Sequence, residues 1–348
     1  MAEPAGPAQP LPWHRAQWER AGRILRAGRL PHALLLTGPE GLGKRRFAER
    51  LAQGLLCAER AADMTPCGAC QGCRLFAAGS HPDWRVLEPE GPGKPIRVEA
   101  VRELTEALRL TSQTGGYRLA LIVPAERMNP HAANALLKTL EEPVPQTLLM
   151  LVTARPARLL PTIRSRCQAF TFAPPPVAEG ERWLAAEGVG RETASVALAV
   201  TGGAPLTALE LAGSERLQTR RAFFEDWVAV AAGEADPIGV AGRWAKGELK
   251  ILLDFAATWI MDALRLRAVE ADAPRLANPD LTGSLRRLTE DVDLKALHEH
   301  LDRVLETARL TEHPLNPQLL LEGVLLDAAW ILAGRARVAH RRLHGEDG

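Results

Sequence analysis

Three groups of residues in this chain combine types and spacings with chemical meaning. The first is Gly38-Pro39-Glu40-Gly41-Leu42-Gly43-Lys44-Arg45, which follows the phosphate-loop pattern G-x-x-x-x-G-K-[ST] at every fixed position except the last. In such a loop, backbone N–H groups and the Lys cradle phosphates, and the terminal hydroxyl holds Mg²⁺. Here Arg45 stands where that hydroxyl belongs. A guanidinium is permanently cationic and offers no acceptor, so it cannot ligate a metal. Gly38, Gly43 and Lys44 are the candidate nucleotide contacts of a loop that has lost its metal ligand.

The second group is Cys57, Cys67, Cys70 and Cys73, four of the five cysteines in the chain, set in a Gly- and Pro-containing stretch. In a reducing compartment disulfides are disfavoured, and closely spaced thiolates point to tetrahedral Zn²⁺. Ligand type alone also admits an iron–sulfur cluster or simple free thiols. With four protein ligands a zinc ion has no open position, so a structural role is expected. The third group is Ser165-Arg166-Cys167. Taken alone, Arg166 is as well explained as a solvated surface charge.

A phosphate-loop hydrolase also needs an acidic residue at the end of a later strand to position metal and water. The candidate strand Leu119–Val123 is followed by Pro124, and the nearest acid is Glu126. Two losses at one site point to a chain that does not hydrolyse ATP.

These residues require a scaffold. Ala33–Thr37 has the length of a buried strand, and Lys44–Leu56 places Phe47, Leu51 and Leu55 on one helical face. Strand, glycine loop and helix in that order are what the motif demands. Further strands are expected at Trp84–Leu87, Leu119–Val123, Leu148–Thr153 and Ala169–Phe172, with helices at Val98–Leu110 and His131–Leu140. The alternation is that of a parallel α/β domain. Pro174-Pro175-Pro176 suits neither a helix interior nor a sheet and marks a linker. Beyond it the β pattern vanishes. A small helical unit over 177–213 is expected, then long amphipathic helices at Glu248–Val269, Leu294–Leu310 and Gln318–Ala333. Trp244, Trp259 and Trp330 fall on apolar faces of these helices and are expected in the core.

Composition narrows the function. At 348 residues, 46% hydrophobic and 24% charged, the chain has the make-up of a soluble protein of two or three domains. A net charge of +1 provides no global field toward nucleic acid or membrane. No apolar run approaches the roughly 20 residues that span a bilayer. Met1–Pro12 lacks the layout of a signal peptide, and a cytoplasmic location is expected.

Several motifs together resemble the delta-prime family of bacterial DNA polymerase III clamp-loader subunits, members of the AAA+ class. They are Pro31-His32-Ala33 before the loop, the four-cysteine module, Asn134-Ala-Leu-Leu-Lys-Thr-Leu-Glu-Glu-Pro143, Ile163-Arg-Ser-Arg-Cys167, and Asn316-Pro-Gln-Leu-Leu-Leu-Glu322. The resemblance implies an α/β AAA+ domain over 1–172 carrying a zinc module at 57–73. A helical lid over 173–213 and a helical collar over 214–348 would follow. It also implies a hetero-pentamer with gamma/tau and delta subunits that loads the beta sliding clamp on primer-template DNA, as a component of the DNA-directed DNA polymerase III holoenzyme. Arg166 matches the family's arginine finger, given in trans to a neighbour's ATP site, where such a residue is worth about 10³–10⁵ in rate. Where ATPase relatives carry a sensing Arg after a glycine in the lid, this chain has Leu206 after Gly203-Ala-Pro. Two alternatives stay open: an active gamma/tau-like ATPase, and a zinc-containing DNA-binding protein. Charge balance and the lack of a basic recognition helix weigh against the latter.

Overall fold

A computed structural model describes residues 10–344 apart from 92, 269–275, 291 and 312; Met1–Gln9, most of the stretch read for a signal peptide, lie outside it. The chain divides into two compact units, Met1–Pro175 and Pro176–Gly348, with the boundary inside the triple proline.

The first unit is built on β1 (Ala33–Thr37), β2 (Trp84–Leu87), β3 (Arg118–Ile122), β4 (Thr147–Thr153) and β5 (Gln168–Thr171). They form one five-stranded parallel sheet in the order β2-β3-β4-β1-β5. The expected strands lie within one residue of these bounds: the central β1, β3 and β4 are largely buried and read as nearly continuous apolar runs, while the edge strands β2 and β5 carry polar residues as well. The helices are α1 (Arg15–Arg26), α2 (Lys44–Leu56), α3 (Gln71–Ala77), α4 (Val98–Arg109), α5 (Pro130–Glu141) and α6 (Pro161–Arg166). One core joins Leu35, Ile122 and Leu151 of the sheet to Val101 and Leu104 of α4, Leu136 and Leu140 of α5, and Ile163 of α6. α5 and α6 are thereby fixed on the same side of the sheet. The register sets Thr37 beside Thr153 and Thr171, aligning the ends of β1, β4 and β5.

Another aromatic cluster lies under α2. Phe47 meets Phe172 edge-on at 5.2 Å and Trp18 of α1 at 5.7 Å. The turn Pro12–His14, which leads into α1, adds the His14 ring at 5.6 Å from Phe47 and 5.2 Å from Phe172. His14 Nε2 donates to the Leu42 carbonyl at 2.7 Å, and Trp13 Nε1 donates to the same oxygen at 3.0 Å. The chain preceding α1 therefore holds the phosphate loop from beneath.

Among its described residues the second unit carries helices and no strand: α7 (Val177–Ala186), α8 (Arg191–Val200), α9 (Pro205–Ala212), α10 (Arg216–Ala231), α11 (Pro237–Trp244), α12 (Leu249–Ala268), α13 (Thr282–Thr289), α14 (Leu294–Leu310) and α15 (Pro317–His344). Leu184, Ala197 and Leu211 of the first three share a core with Phe223, Trp227, Leu253, Trp259, Val304 and Leu325. Within this core Arg220, 1% exposed, is matched by Asp280 at 2.9 Å and by Asn278 at 2.6 Å. Asp262 in turn accepts from the Asn278 backbone N–H at 2.7 Å. A buried charge is tolerated only when satisfied in this way. Trp259 is fully buried and Trp244 packs against the core, as expected. Trp330 is not in the core: it is 76% exposed. Helical periodicity identifies an apolar face but not whether that face turns inward.

The His14 contacts predict a pH dependence. Burial brings His14 to about 4 from 6.5, against the Leu42 hydrogen bond that favours the charged ring. Its neutral form is the folded form, so the unfolded chain binds the extra proton first as pH falls. Stability from this residue is complete above pH 6.5, falls between 6.5 and about 4, and is then constant. The loss should amount to about 3 kcal/mol at most. Denaturant unfolding of wild type and His14→Gln at pH 7.5 and 5 should show a smaller pH effect in the variant; equal slopes would refute it.

Candidate functional site

The phosphate loop leaves the end of β1 at Gly38. There φ is +140°, and a Cβ would sit 2.2 Å from the Phe172 carbonyl oxygen, so only glycine fits. Gly43, at φ +78°, takes the left-handed conformation and caps α2. Lys44 opens the helix, nearly buried at 6% exposure, and its Nζ donates to the carbonyls of Gly38 at 2.7 Å and Pro39 at 2.5 Å. Burial lowers its pKa, opposed by the charges of Glu40 and Glu126.

Arg45 is engaged rather than free. Its Nε donates to Glu49 at 2.8 Å, and its two terminal nitrogens grip both oxygens of Glu88, Nη2 to Oε2 at 3.1 Å. Burial works against its charge, but the hydrogen bonds from Glu88 and Glu49 more than compensate and hold the guanidinium pKa above its ordinary value. Glu88 directly follows β2, so this fork ties the start of α2 to the end of β2. Pairs this exposed contribute only about 0–1 kcal/mol each. Their consequence is chemical: the position of the metal-holding hydroxyl carries an ion-paired cation. At the end of β3, Pro124 presents no carboxylate. Glu126 lies in the turn Ala125–Arg127, and its Oε1 accepts from the Ala154 N–H at 3.1 Å. Leu206 lies in the first turn of α9.

The four cysteines converge. Their sulfurs all lie within 4.8 Å of one another and together could hold a metal ion. Cys67 Sγ is 4.0 Å from Cys73 Sγ, and Cys70 Sγ is 3.8 Å from Cys57 Sγ. Backbone N–H groups orient the sulfurs: Cys67 N donates to Cys57 Sγ at 3.3 Å, Cys70 N to Cys67 Sγ at 3.3 Å and Cys73 N to Cys70 Sγ at 3.5 Å. Cys70 thereby caps α3, a helix the sequence pattern did not suggest. Burial raises the Cys57 and Cys73 thiols; at Cys70 backbone donors outweigh burial and bring the thiol to about 6.

Arg166 is the last residue of α6, about one-third exposed. Nη1 donates to the Thr162 carbonyl at 3.0 Å, and Nη2 is paired with Glu141 Oε1 at 2.7 Å. None of its hydrogen-bond or ion-pair partners among the described residues belongs to the phosphate loop. Asn134 and Lys138 are both exposed on α5. Burial raises the thiol of Cys167, next in the chain, to about 12.

Sequence reasoning did not find Glu88, Glu49 or Glu141 as partners, nor the His14 and Trp13 contacts beneath the loop. Only the Arg45–Glu49 spacing of four residues carried a local signal.

Two family models match the chain: DNA polymerase III, delta subunit, over residues 13–176, and its C-terminal counterpart over 214–329. A DNA polymerase III subunit delta' from Pseudomonas aeruginosa is 38% identical over 323 residues, covering 91% of this chain and 97% of the relative. The Escherichia coli subunit delta' is 33% identical, covering 90% and 94%. The Escherichia coli subunit tau is 38% identical over 146 residues, 42% of this chain and 22% of that one. With two family models covering both units and relatives matched over nearly their whole length, the chain belongs to the family of DNA polymerase III delta' subunits.

Proposed function

We propose that this chain is a non-hydrolysing clamp-loader subunit, cytoplasmic, that completes a neighbouring subunit's ATP site with Arg166. It would act in a hetero-pentamer with gamma/tau and delta subunits that opens the beta sliding clamp and places it on primer-template DNA. The observation that carries the first part is the ion-paired guanidinium of Arg45 at the metal-ligand position, joined by Pro124 at the end of β3. Gly38, Gly43 and Lys44 keep the shape of a phosphate loop, but metal-dependent turnover has no ligand to begin from. Family membership supports the assembly. The relation to tau supports a common architecture for the neighbours. Among the described residues no helix is long and apolar enough to cross a membrane.

The cysteine centre suits zinc. With Zn–S near 2.3 Å, tetrahedral sulfurs stand about 3.8 Å apart, against the observed 3.8 and 4.0 Å. Cys57, Cys67, Cys70 and Cys73 would hold the ion and leave no open position, so it supplies cohesion to the loop between α2 and α3 rather than catalysis.

The helices α7–α9 would serve as a lid and α10–α15 as a collar. Leu319, Leu326 and Trp330 are exposed at spacings of seven and four residues along α15, one apolar face left open among the described residues. That face is suited to a neighbour's collar helices.

Three outcomes test these readings. The purified chain alone should not turn over ATP; steady turnover abolished by Lys44→Ala would contradict it. In the reconstituted complex, Arg166→Ala should leave assembly intact and slow hydrolysis at the neighbouring site it serves by at least tenfold, within the range that fingers command, lowering DNA- and clamp-stimulated ATPase; an unchanged rate would reject the finger. Metal analysis should find about one zinc per chain, lost with stability of the module in Cys67→Ser/Cys70→Ser; a folded, metal-free preparation would reject the zinc centre.

A further inference from the structure

Glu141, inside the motif Asn134–Pro143, is the last residue of α5, and as a helix end it needs no function at all. Its carboxylate nevertheless reaches Arg166 at 2.7 Å. We propose that Glu141 is the positioning residue for Arg166, holding the guanidinium ready for a phosphate in the neighbouring subunit's site; this rests on the reading that Arg166 acts there.

Arg166 ends a helix of six residues, and the backbone turns extended at Cys167 directly after it. Such a position does not by itself fix a long side chain. Two contacts do. The Thr162 carbonyl takes one hydrogen from Nη1, one turn back along α6, and Nη2 is ion-paired with Glu141 Oε1 at 2.7 Å. A guanidinium has five N–H donors in a rigid planar fork. Among the described residues one of them is given to Thr162 and the ion pair engages Nη2, on a side chain still about one-third exposed. The fork is thus oriented without being consumed.

Glu141 is itself well anchored. It lies one residue beyond Leu140, which is buried in the core that also takes in Ile163 of α6. The ion pair consequently joins the C-terminal ends of two helices that share one core, and its geometry follows from their packing. Glu141 is about half exposed, so the pair is solvent-screened and contributes little to folding. Its value lies in orientation. During hydrolysis water forms a bond to the γ-phosphorus and gives up a proton to solvent, and the bridging P–O bond breaks with its electron pair passing to ADP. Charge spread over the transferring oxygens rewards a cation already in place. Glu141 touches neither reactant and would act only through Arg166.

The test is a double-mutant cycle in the reconstituted loader, read as kcat and KM for DNA-stimulated ATP hydrolysis, with assembly followed by size-exclusion chromatography. Glu141→Ala should lower kcat about ten- to a hundredfold, as expected for a misplaced catalytic group, with KM for ATP within about twofold. Glu141→Gln, which keeps the acceptor oxygen and the volume, should lose less. Glu141→Ala combined with Arg166→Ala should be no slower than Arg166→Ala alone, since the carboxylate acts through that residue. Losses that multiply in the double variant would mean a general structural role and overturn the proposal. So would Glu141→Ala with an unchanged or raised kcat while Arg166→Ala is slow. If Arg166→Ala is itself unaffected, the finger reading fails and the positioning role falls with it.

Discussion

The position of β1 governs this molecule. It lies between β4 and β5, paired in parallel to each, and Leu34, Leu35 and Leu36 are buried. Where it ends, the Phe172 backbone beyond β5 comes so close that the next residue must be glycine. That close approach bends the chain into the loop, starts α2 at Lys44, and aims the first turn of α2 at the end of β2. The fate of Arg45 is decided there. A residue at this point can meet a metal or meet Glu88, and an arginine meets Glu88.

The same sheet places the other groups. Core contacts from β3 and β4 fix α4, α5 and α6, and with them Glu141 and Arg166, whose pairing owes nothing to the phosphate loop. The Gly38–Arg45 loop and Arg166 are therefore independently placed features of one scaffold. Arg45 is satisfied by Glu49 and Glu88, and those contacts do not involve the α5–α6 pair. The cysteine module follows α2, and its sulfurs are oriented by N–H groups of their own loop.

Much of this was legible in the sequence, for definite reasons. The strands are short and mostly apolar, and Lys44–Leu56 carries its apolar residues at helical spacing, so Trp84–Leu87 and Lys44–Leu56 fall where the pattern puts them. The phosphate-loop glycines and the cysteine spacing are local signals and survive without a structure. Non-local pairings are not. Glu88 lies 43 residues from Arg45, and nothing in its surroundings marks it as the partner. Glu141 looked like a helix end because its target is reached through packing of α5 on α6. Trp330 was misplaced for a related reason: an apolar stripe is the same in sequence whether it meets its own core or another chain. α3 was invisible because its N-terminal cap is a cysteine sulfur rather than a hydroxyl or carboxylate.

The central claim is that this subunit has no working ATP site yet serves a neighbour's. The most direct measurement is the pre-steady-state burst of phosphate released when DNA triggers the reconstituted, clamp-bound loader. The burst counts the sites that fire. Lys44→Ala in this chain should leave its amplitude unchanged, while Arg166→Ala should remove one site's share. A burst that loses one site with Lys44→Ala, and none with Arg166→Ala, would contradict the claim.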